Sequence, residues 1–254
     1  SADLRERQQS HLVQTVPRLA DRVHWLEMLP ARLSGVVFGN EVLDALPVHR
    51  IRTEQGALLE IGVRVSNSGF AWALRPASGA LAQAAHRLSL PDDYETEISP
   101  AASALIADLG RRLERGVLLF IDYGFPAHEF YHPQRNRGTL MCHYRHHAHA
   151  DPFLWPGLQD ITAHVDFSAI ALAGTGLDLL GYANQAQFLI NCGITELLAA
   201  VPATETARYA PLAAQVQKLL SPAEMGELFK VIALGRGVDP PLLGFRRGDK
   251  SRTL

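Results

Sequence analysis

Apolar positions along the chain follow three rhythms, each predicting a different element. Continuous apolar runs in "GVVFGN" and in "VLLFIDYG", Val117 to Gly124, predict short strands covered on both faces. "VHWLEML", Val23 to Leu29, reads as a further central strand. From His49 to Trp72 the pattern changes to alternation around "EQG" and "SNSG", which predicts antiparallel hairpins inserted between the parallel elements. Helical spacing and propensity mark "ADLRERQQSHLVQ" at the very start. The same signals mark "SPAASALIADLGRRLERG", where Ser99 is an N-cap, Pro100 the first helical position and Gly116 the residue past the end. Residues 125–162 form a long polar segment rich in His, Pro and Arg, a length that usually carries function or contacts. "DFSAIALAGTG", "NQAQFLINCG" and "ETARYAPLAAQVQKLL" make the remainder mostly helical, before a closing strand-like "LFKVIALG". Strands and helices taking turns, with no internal repeat, predict an α/β fold.

Composition narrows the function classes. The 254 residues with 47% apolar content suit one large domain, or a domain with an appended lobe. A net charge of -2 with both signs interspersed gives no basic stripe, so nucleic acid is not a favoured partner. No apolar run approaches the roughly 18 residues of a membrane span, and "SADLRERQQSHL" is charged rather than signal-like. The only cysteines, Cys142 and Cys192, form no CxxC pair, so neither a disulfide framework nor a zinc knuckle is expected. A reducing compartment fits, and the Ala, Leu and Arg content points to a bacterial cytoplasm.

In a parallel sheet the ligand crevice lies outside the carboxyl ends of the strands. Two strand ends are chemically loaded: "VVF" leads into Gly39, Asn40 and Glu41 with Asp44 one turn into the following helix, and "LLFI" leads into Asp122, Tyr123 and Gly124. Asn40 as a helix cap with Glu41 and Asp44 as dipole partners is the bland alternative. In "GLQDITAHVDFS" the residues Asp160, Thr162, His164 and Asp166 alternate, which places them on one side of an extended segment. Asp166 as a cap for "FSAIALAG" is the alternative there. "HYRHHAHAD" offers His143, His146, His147 and His149, but no acid or cysteine accompanies them at helical ligand spacing. The run reads as a solvated loop and no metal is expected.

"GNEVLDALPVHR", "LLFIDYG", "RNRGTLMCHYRHHAHADPFLWPGLQDITAHVDFSAIA" and "NQAQFLINCGI" together resemble the MidA-type family of S-adenosylmethionine-dependent methyltransferases. Its mitochondrial members are complex I assembly factors that methylate an arginine of a subunit of that complex. The resemblance runs in order from "LRERQ" to "MGELFKVIALG". It implies a class I, Rossmann-like methyltransferase sheet with helices on both faces, a β-hairpin insertion and a helical C-terminal part. A single domain over 1–254 would carry an insertion lobe at 49–98 and a loop and helical substrate lobe at 125–220. The implied activity is protein arginine methylation with S-adenosylmethionine as cofactor. Its partner would be a protein, for which a respiratory complex subunit is a candidate, and a homodimer is one open arrangement. The location would be cytoplasmic in a bacterium and mitochondrial in a eukaryote.

Site residues follow from the same resemblance. A guanidinium stays protonated at any ordinary pH and offers a planar fork that carboxylates match two bonds at a time. Glu41 and Asp44 are therefore expected to hold the arginine, with Asn40 and Glu41 toward the methionine end of the cofactor. Trp25 and Leu26 are expected against its adenine by fold analogy, an indole packed beneath the first helix being the alternative. Tyr123, Asp160, Thr162, His164 and Asp166 would form the substrate-side wall. One departure is plain: the family's glycine-rich cofactor turn and the acid ending its second strand are not found, and "SADLRERQ" resembles the segment directly after that acid. The chain is thus expected to be N-terminally incomplete, with its first strands absent and Ser1 at the second strand's end. The alternative function is a cofactor-incompetent binding or assembly-factor scaffold of the same fold.

Overall fold

A computed structural model describes residues 2–67, 69–145 and 147–254. Ser1, Ser68 and His146 lie outside the described residues, and with them the strand-end position expected for Ser1, one residue of the "SNSG" stretch and one member of the histidine run. The chain divides into two compact units, Ser1–Arg32 and Leu33–Leu254. In the first, helix α1 spans Ala2–Thr15 and a single turn, α2, spans Pro17–Ala20. Trp25 donates its indole N–H to the Gln8 amide oxygen at 3.3 Å. Residues 23–29, read above as a strand, form none. A strand exists only where a neighbour takes its N–H and C=O groups, and among the described residues this stretch has no ladder partner.

The second unit is built around a mixed sheet. Strand β1 (Leu33–Asn40) is followed by β2 (His49–Glu54), β3 (Ala57–Ser66) and β4 (Gly69–Pro76), then helix α3 (Gly79–His86) and β5 (Tyr94–Ile98). Helix α4 (Pro100–Arg112) leads into β6 (Leu113–Phe125), and a turn of helix, α5 (Ala127–Phe130), follows. Next come β7 (Met141–Tyr144), β8 (His147–His149), β9 (Asp160–Thr162), β10 (Val165–Asp166) and α6 (Phe167–Ala173). The chain continues through β11 (Asp178–Asn184), α7 (Gln185–Asn191), α8 (Ile194–Ala199), α9 (Thr206–Leu220) and β12 (Phe229–Arg236).

The main sheet runs β1-β6-β12-β11, with β10 adding a short rung to β6. β1 lies parallel to β6, and β12 runs antiparallel between β6 and β11. Ile106 and Leu109 of α4 and Phe167 and Ile170 of α6 pack with Leu118 and Phe120 in one core. Val117, Ile121 and Val231 pack with Ala183 and Phe245 in a second. β1 is covered less than its apolar run predicts, with Val36 69% and Phe38 60% exposed.

Two smaller sheets flank this core. β4-β3-β2-β5 form the antiparallel sheet expected from the hairpin pattern, and β8-β7-β9 form a three-stranded sheet within the long polar segment. His143 and His147 therefore sit on adjoining strands rather than one helix turn apart.

Two expectations change in detail. Ser99 does cap α4, accepting from the Ala102 N–H at 3.2 Å, but the helix stops at Arg112 and Gly116 lies inside β6. There its φ is +139°, and a Cβ would sit 1.8 Å from the Gly35 carbonyl oxygen, so the two backbones meet where only glycine fits. "DLLGYAN", expected within the helical remainder, is strand β11. A short apolar run cannot be divided between strand and helix by periodicity alone. The strand presses Gly181 onto the Phe245 ring, with 2.2 Å to an added Cβ.

Candidate active site

The carboxyl ends of β1 and β6 lie side by side, Asn40 paired with Ile121. The chain leaves β1 through Glu41, which takes a left-handed φ of 51° and donates its N–H to the Ile121 carbonyl at 2.9 Å. A non-glycine residue in that region is held there by its surroundings. Beside the turn lies Asp122, fully buried near the carboxyl end of β6. Its Oδ2 accepts the consecutive backbone N–H groups of Val42, Leu43 and Asp44 at 3.1, 2.9 and 3.3 Å, and its Oδ1 accepts the Tyr123 N–H at 2.9 Å. One strand end thus caps the turn that follows the other.

The helix expected after β1, with Asn40 as its cap, does not form: residues 41–46 make a turn whose N–H groups at 42–44 are taken by Asp122, and on that turn the two acids diverge. Glu41 is exposed and its Oε1 accepts from the Asn40 amide at 3.1 Å. Asp44 is buried, with one oxygen accepting the Tyr123 phenol proton. Its other oxygen, Oδ1, is buried and accepts no hydrogen bond from the described residues. An unpaired buried acceptor is uncommon and asks for a donor.

The "DITAHVD" segment crosses between sheets instead of keeping one face. β9 pairs with β7 and β10 with β6, so the chain changes partners at Ala163 and His164. Ala163 donates its N–H to the Asp44 carbonyl at 3.1 Å, which docks the segment on the acid turn. Thr162 is buried nearby, and the His164 ring meets the Tyr123 ring edge-on with centroids 5.3 Å apart. Asp160 is exposed on β9. Asp166 caps α6, accepting from Ser168 and Ala169 at 3.0 and 3.1 Å, and it also accepts the Tyr131 hydroxyl proton at 3.0 Å. The structure therefore brings Asp44, Tyr123, Thr162 and His164 together, keeps Asn40 with Glu41, and gives Asp166 the capping role. Trp25 and Leu26 belong to the first unit.

Burial sets the proton affinities. Desolvation and then the Asp44 carboxylate push Asp122 up to about 7, against the pull of its backbone donors. Desolvation pulls His164 down to about 4, helped by Arg135 and Lys230, so the ring is neutral at ordinary pH. The Tyr123 phenol is raised, first by burial and then by its bond to Asp44.

Sequence reasoning marked Asp122 as a strand end but gave it no role. It also overlooked Glu97, whose buried carboxylate accepts from the Thr139 N–H and hydroxyl at 2.7 and 3.0 Å and from the Leu140 N–H at 3.3 Å. Thr139 Oγ1 in turn accepts the His164 N–H at 3.0 Å. The only cue was an acid inside the strand "YETEI". Among the described residues no group of three or more His, Cys, Asp or Glu side chains is gathered to hold a metal, and no helix is long and apolar enough to cross a membrane.

Residues 1–183 match the family described as "Putative S-adenosyl-L-methionine-dependent methyltransferase". The chain belongs to that methyltransferase family. A Burkholderia thailandensis protein solved with S-adenosyl-homocysteine bound is 52% identical with a TM-score of 0.95, over 100% of this chain and 67% of that one. A native crystal structure from the same organism is 53% identical with a TM-score of 0.95, over 100% and 69%. The mixed α/β sheet is accordingly that of a class I methyltransferase. Among curated relatives, the mitochondrial protein arginine methyltransferase NDUFAF7 of Mus musculus is 31% identical over 79% of this chain and 45% of its own length. The Danio rerio protein of that name is 28% identical over 83% and 49%. The chain spans about half the length of these curated relatives.

Proposed function

We propose that the protein transfers a methyl group from S-adenosylmethionine to an arginine side chain of a partner protein. The observation that carries this reading is the acid turn: exposed Glu41 and buried Asp44 follow one strand end, and one Asp44 oxygen has no donor among the described residues. The names of the curated relatives support the choice of arginine.

The residues present fit the methionine end of the cofactor. Asn40 and Glu41 expose an amide and a carboxylate at the carboxyl end of β1, which suit an ammonium group. When bound, the cofactor supplies an electrophilic methyl group on a sulfonium that departs as a neutral thioether. Glu41 and Asp44 hold the guanidinium through paired charge-assisted hydrogen bonds and orient one nitrogen for attack. As the new N–C bond forms and the S–C bond breaks, that nitrogen sheds a proton, which Glu41 accepts as the exposed acid. Tyr123 fixes the Asp44 carboxylate by its phenol bond, while Thr162 and neutral His164 line the substrate side and Asp160 stands at its rim. The partner is a folded protein, and a respiratory complex subunit is the candidate carried from the family resemblance.

Glu41→Gln tests the roles, since the amide keeps the shape but loses charge and basicity. Methyl transfer is expected to fall by about 100-fold or more, the scale of a lost general base, in an assay of the natural full-length protein with tritiated cofactor. A wild-type rate would remove Glu41 from the chemistry.

A further inference from the structure

The geometry points to Asp122 as the positioning residue that sets the cofactor-side and substrate-side groups of the acid turn, a role that rests on the methyltransferase reading above. Asp122 lies about 80 positions from the turn in sequence and touches neither a reacting atom nor solvent. Yet its Oδ2 takes three consecutive backbone N–H groups, those of Val42, Leu43 and Asp44. This is helix-cap chemistry performed by a neighbouring strand.

Two consequences follow from that grip. Upstream, it closes the turn around Glu41, whose left-handed backbone sets where the Asn40 and Glu41 side chains leave the strand. Downstream, it sets where Asp44 begins. The next residue, Tyr123, then grips the Asp44 side chain through its phenol while its own N–H rests on Asp122 Oδ1. Residues 122 and 123 thus hold the turn at its backbone and at its carboxylate. Cofactor-side Asn40, substrate-side Asp44 and Glu41 between them become parts of one rigid element. Four donors on a single carboxylate favour its charged form, whereas burial and Asp44 oppose it. The hydrogen bonds require an acceptor oxygen at Oδ2 more than they require a charge.

The test compares wild type, Asp122→Ala, Asp122→Asn and Glu97→Gln in the natural full-length protein. Calorimetry gives the affinity for S-adenosylhomocysteine, melting gives stability, and amide exchange gives protection at residues 42–44 and 123. Glu97 is an equally buried carboxylate whose three hydrogen bonds go to Thr139 and Leu140 and none to the turn, so its substitution lowers stability without touching the cofactor-side groups. Loss of the hydrogen-bonding acceptor in Asp122→Ala is expected to weaken S-adenosylhomocysteine binding by about tenfold or more and to expose the amides of Val42, Leu43 and Asp44. Asp122→Asn keeps an oxygen for those three donors, so it is expected to restore their protection and most of the affinity. Its NH2 group faces the Tyr123 N–H, and exchange there is expected to quicken. Glu97→Gln is expected to lower the melting temperature without changing the affinity.

An alanine variant with wild-type affinity and protected turn amides would overturn the proposal, and so would a Glu97→Gln protein that loses affinity equally. Should Asp122→Ala not fold, the asparagine protein decides alone, since unchanged exchange at Tyr123 contradicts the assigned bond. A wild-type protein that does not take up S-adenosylhomocysteine would count against the methyltransferase reading. The exchange pattern at residues 42–44 would still decide whether Asp122 holds the turn.

Discussion

Asp122 and His164 show how far a single residue's environment departs from its sequence label. In the folded protein burial and Asp44 raise Asp122 to about 7, whereas the unfolded chain releases the proton near the ordinary carboxyl value of 3.8. Between those values the folded state binds more protons, so this residue's contribution to stability is lost as pH rises toward 7. His164 behaves oppositely. Its folded value near 4 lies below its ordinary 6.5, so the unfolded chain takes up the proton first and stability is lost as pH falls from 6.5 toward 4. Thermal melts between about pH 5 and 7 should separate the two, because each substitution removes one slope. Relative to wild type, His164→Phe is expected to gain as the solution becomes more acidic and Asp122→Asn to gain as it becomes more neutral. Melting curves that stay parallel to wild type across that range would contradict both assignments. Neither shift was legible in the sequence, since Asp122 is raised by burial and by the Asp44 carboxylate, 78 positions away, and His164 owes its neutrality to burial.

At the level of elements, local signals and long-range contacts divided the work. The start of α4 was readable because Ser99 and Pro100 determine it locally, and the hydrogen bond from the Ala102 N–H follows from that. Its end was not readable, because Gly116 serves the meeting of β1 with β6 rather than a helix terminus. The stretch "VHWLEML" carries strand-like residues but no ladder, while "DLLGYAN" forms one because β12 supplies its partner. Gly116 offers a direct check. A Cβ there would overlap the Gly35 carbonyl at 1.8 Å and would impose a φ of +139° on a side-chain-bearing residue. Gly116→Ala is expected to cost about 3 kcal/mol or more in denaturant unfolding, since strained backbone and overpacking add. A loss within about 0.5 kcal/mol, the range of ordinary surface changes, would show that the two strands can part at no cost.

For the molecule as a whole, the order of motifs carried the family and the fold, and the match over residues 1–183 bears that out. The loaded strand ends were legible because crevice chemistry gathers where parallel strands finish. Which acid faces solvent was not: "NEVLD" reads Glu41 and Asp44 as equals, but the turn exposes one and buries the other against Tyr123. The alternation of Asp160, Thr162, His164 and Asp166 likewise suggested one wall, and the change of sheet at Ala163 and His164 divided it. The identity of the methyl acceptor therefore decides what the acid turn does. The most direct measurement incubates the natural full-length protein and tritiated S-adenosylmethionine with a lysate from source cells lacking their own copy. Labelled proteins are then hydrolysed and their amino acids separated. Enzyme-dependent label in methylated arginine, lost with Glu41→Gln, is the expected result. Label confined to lysine or other residues, or none above the enzyme-free control, would contradict it.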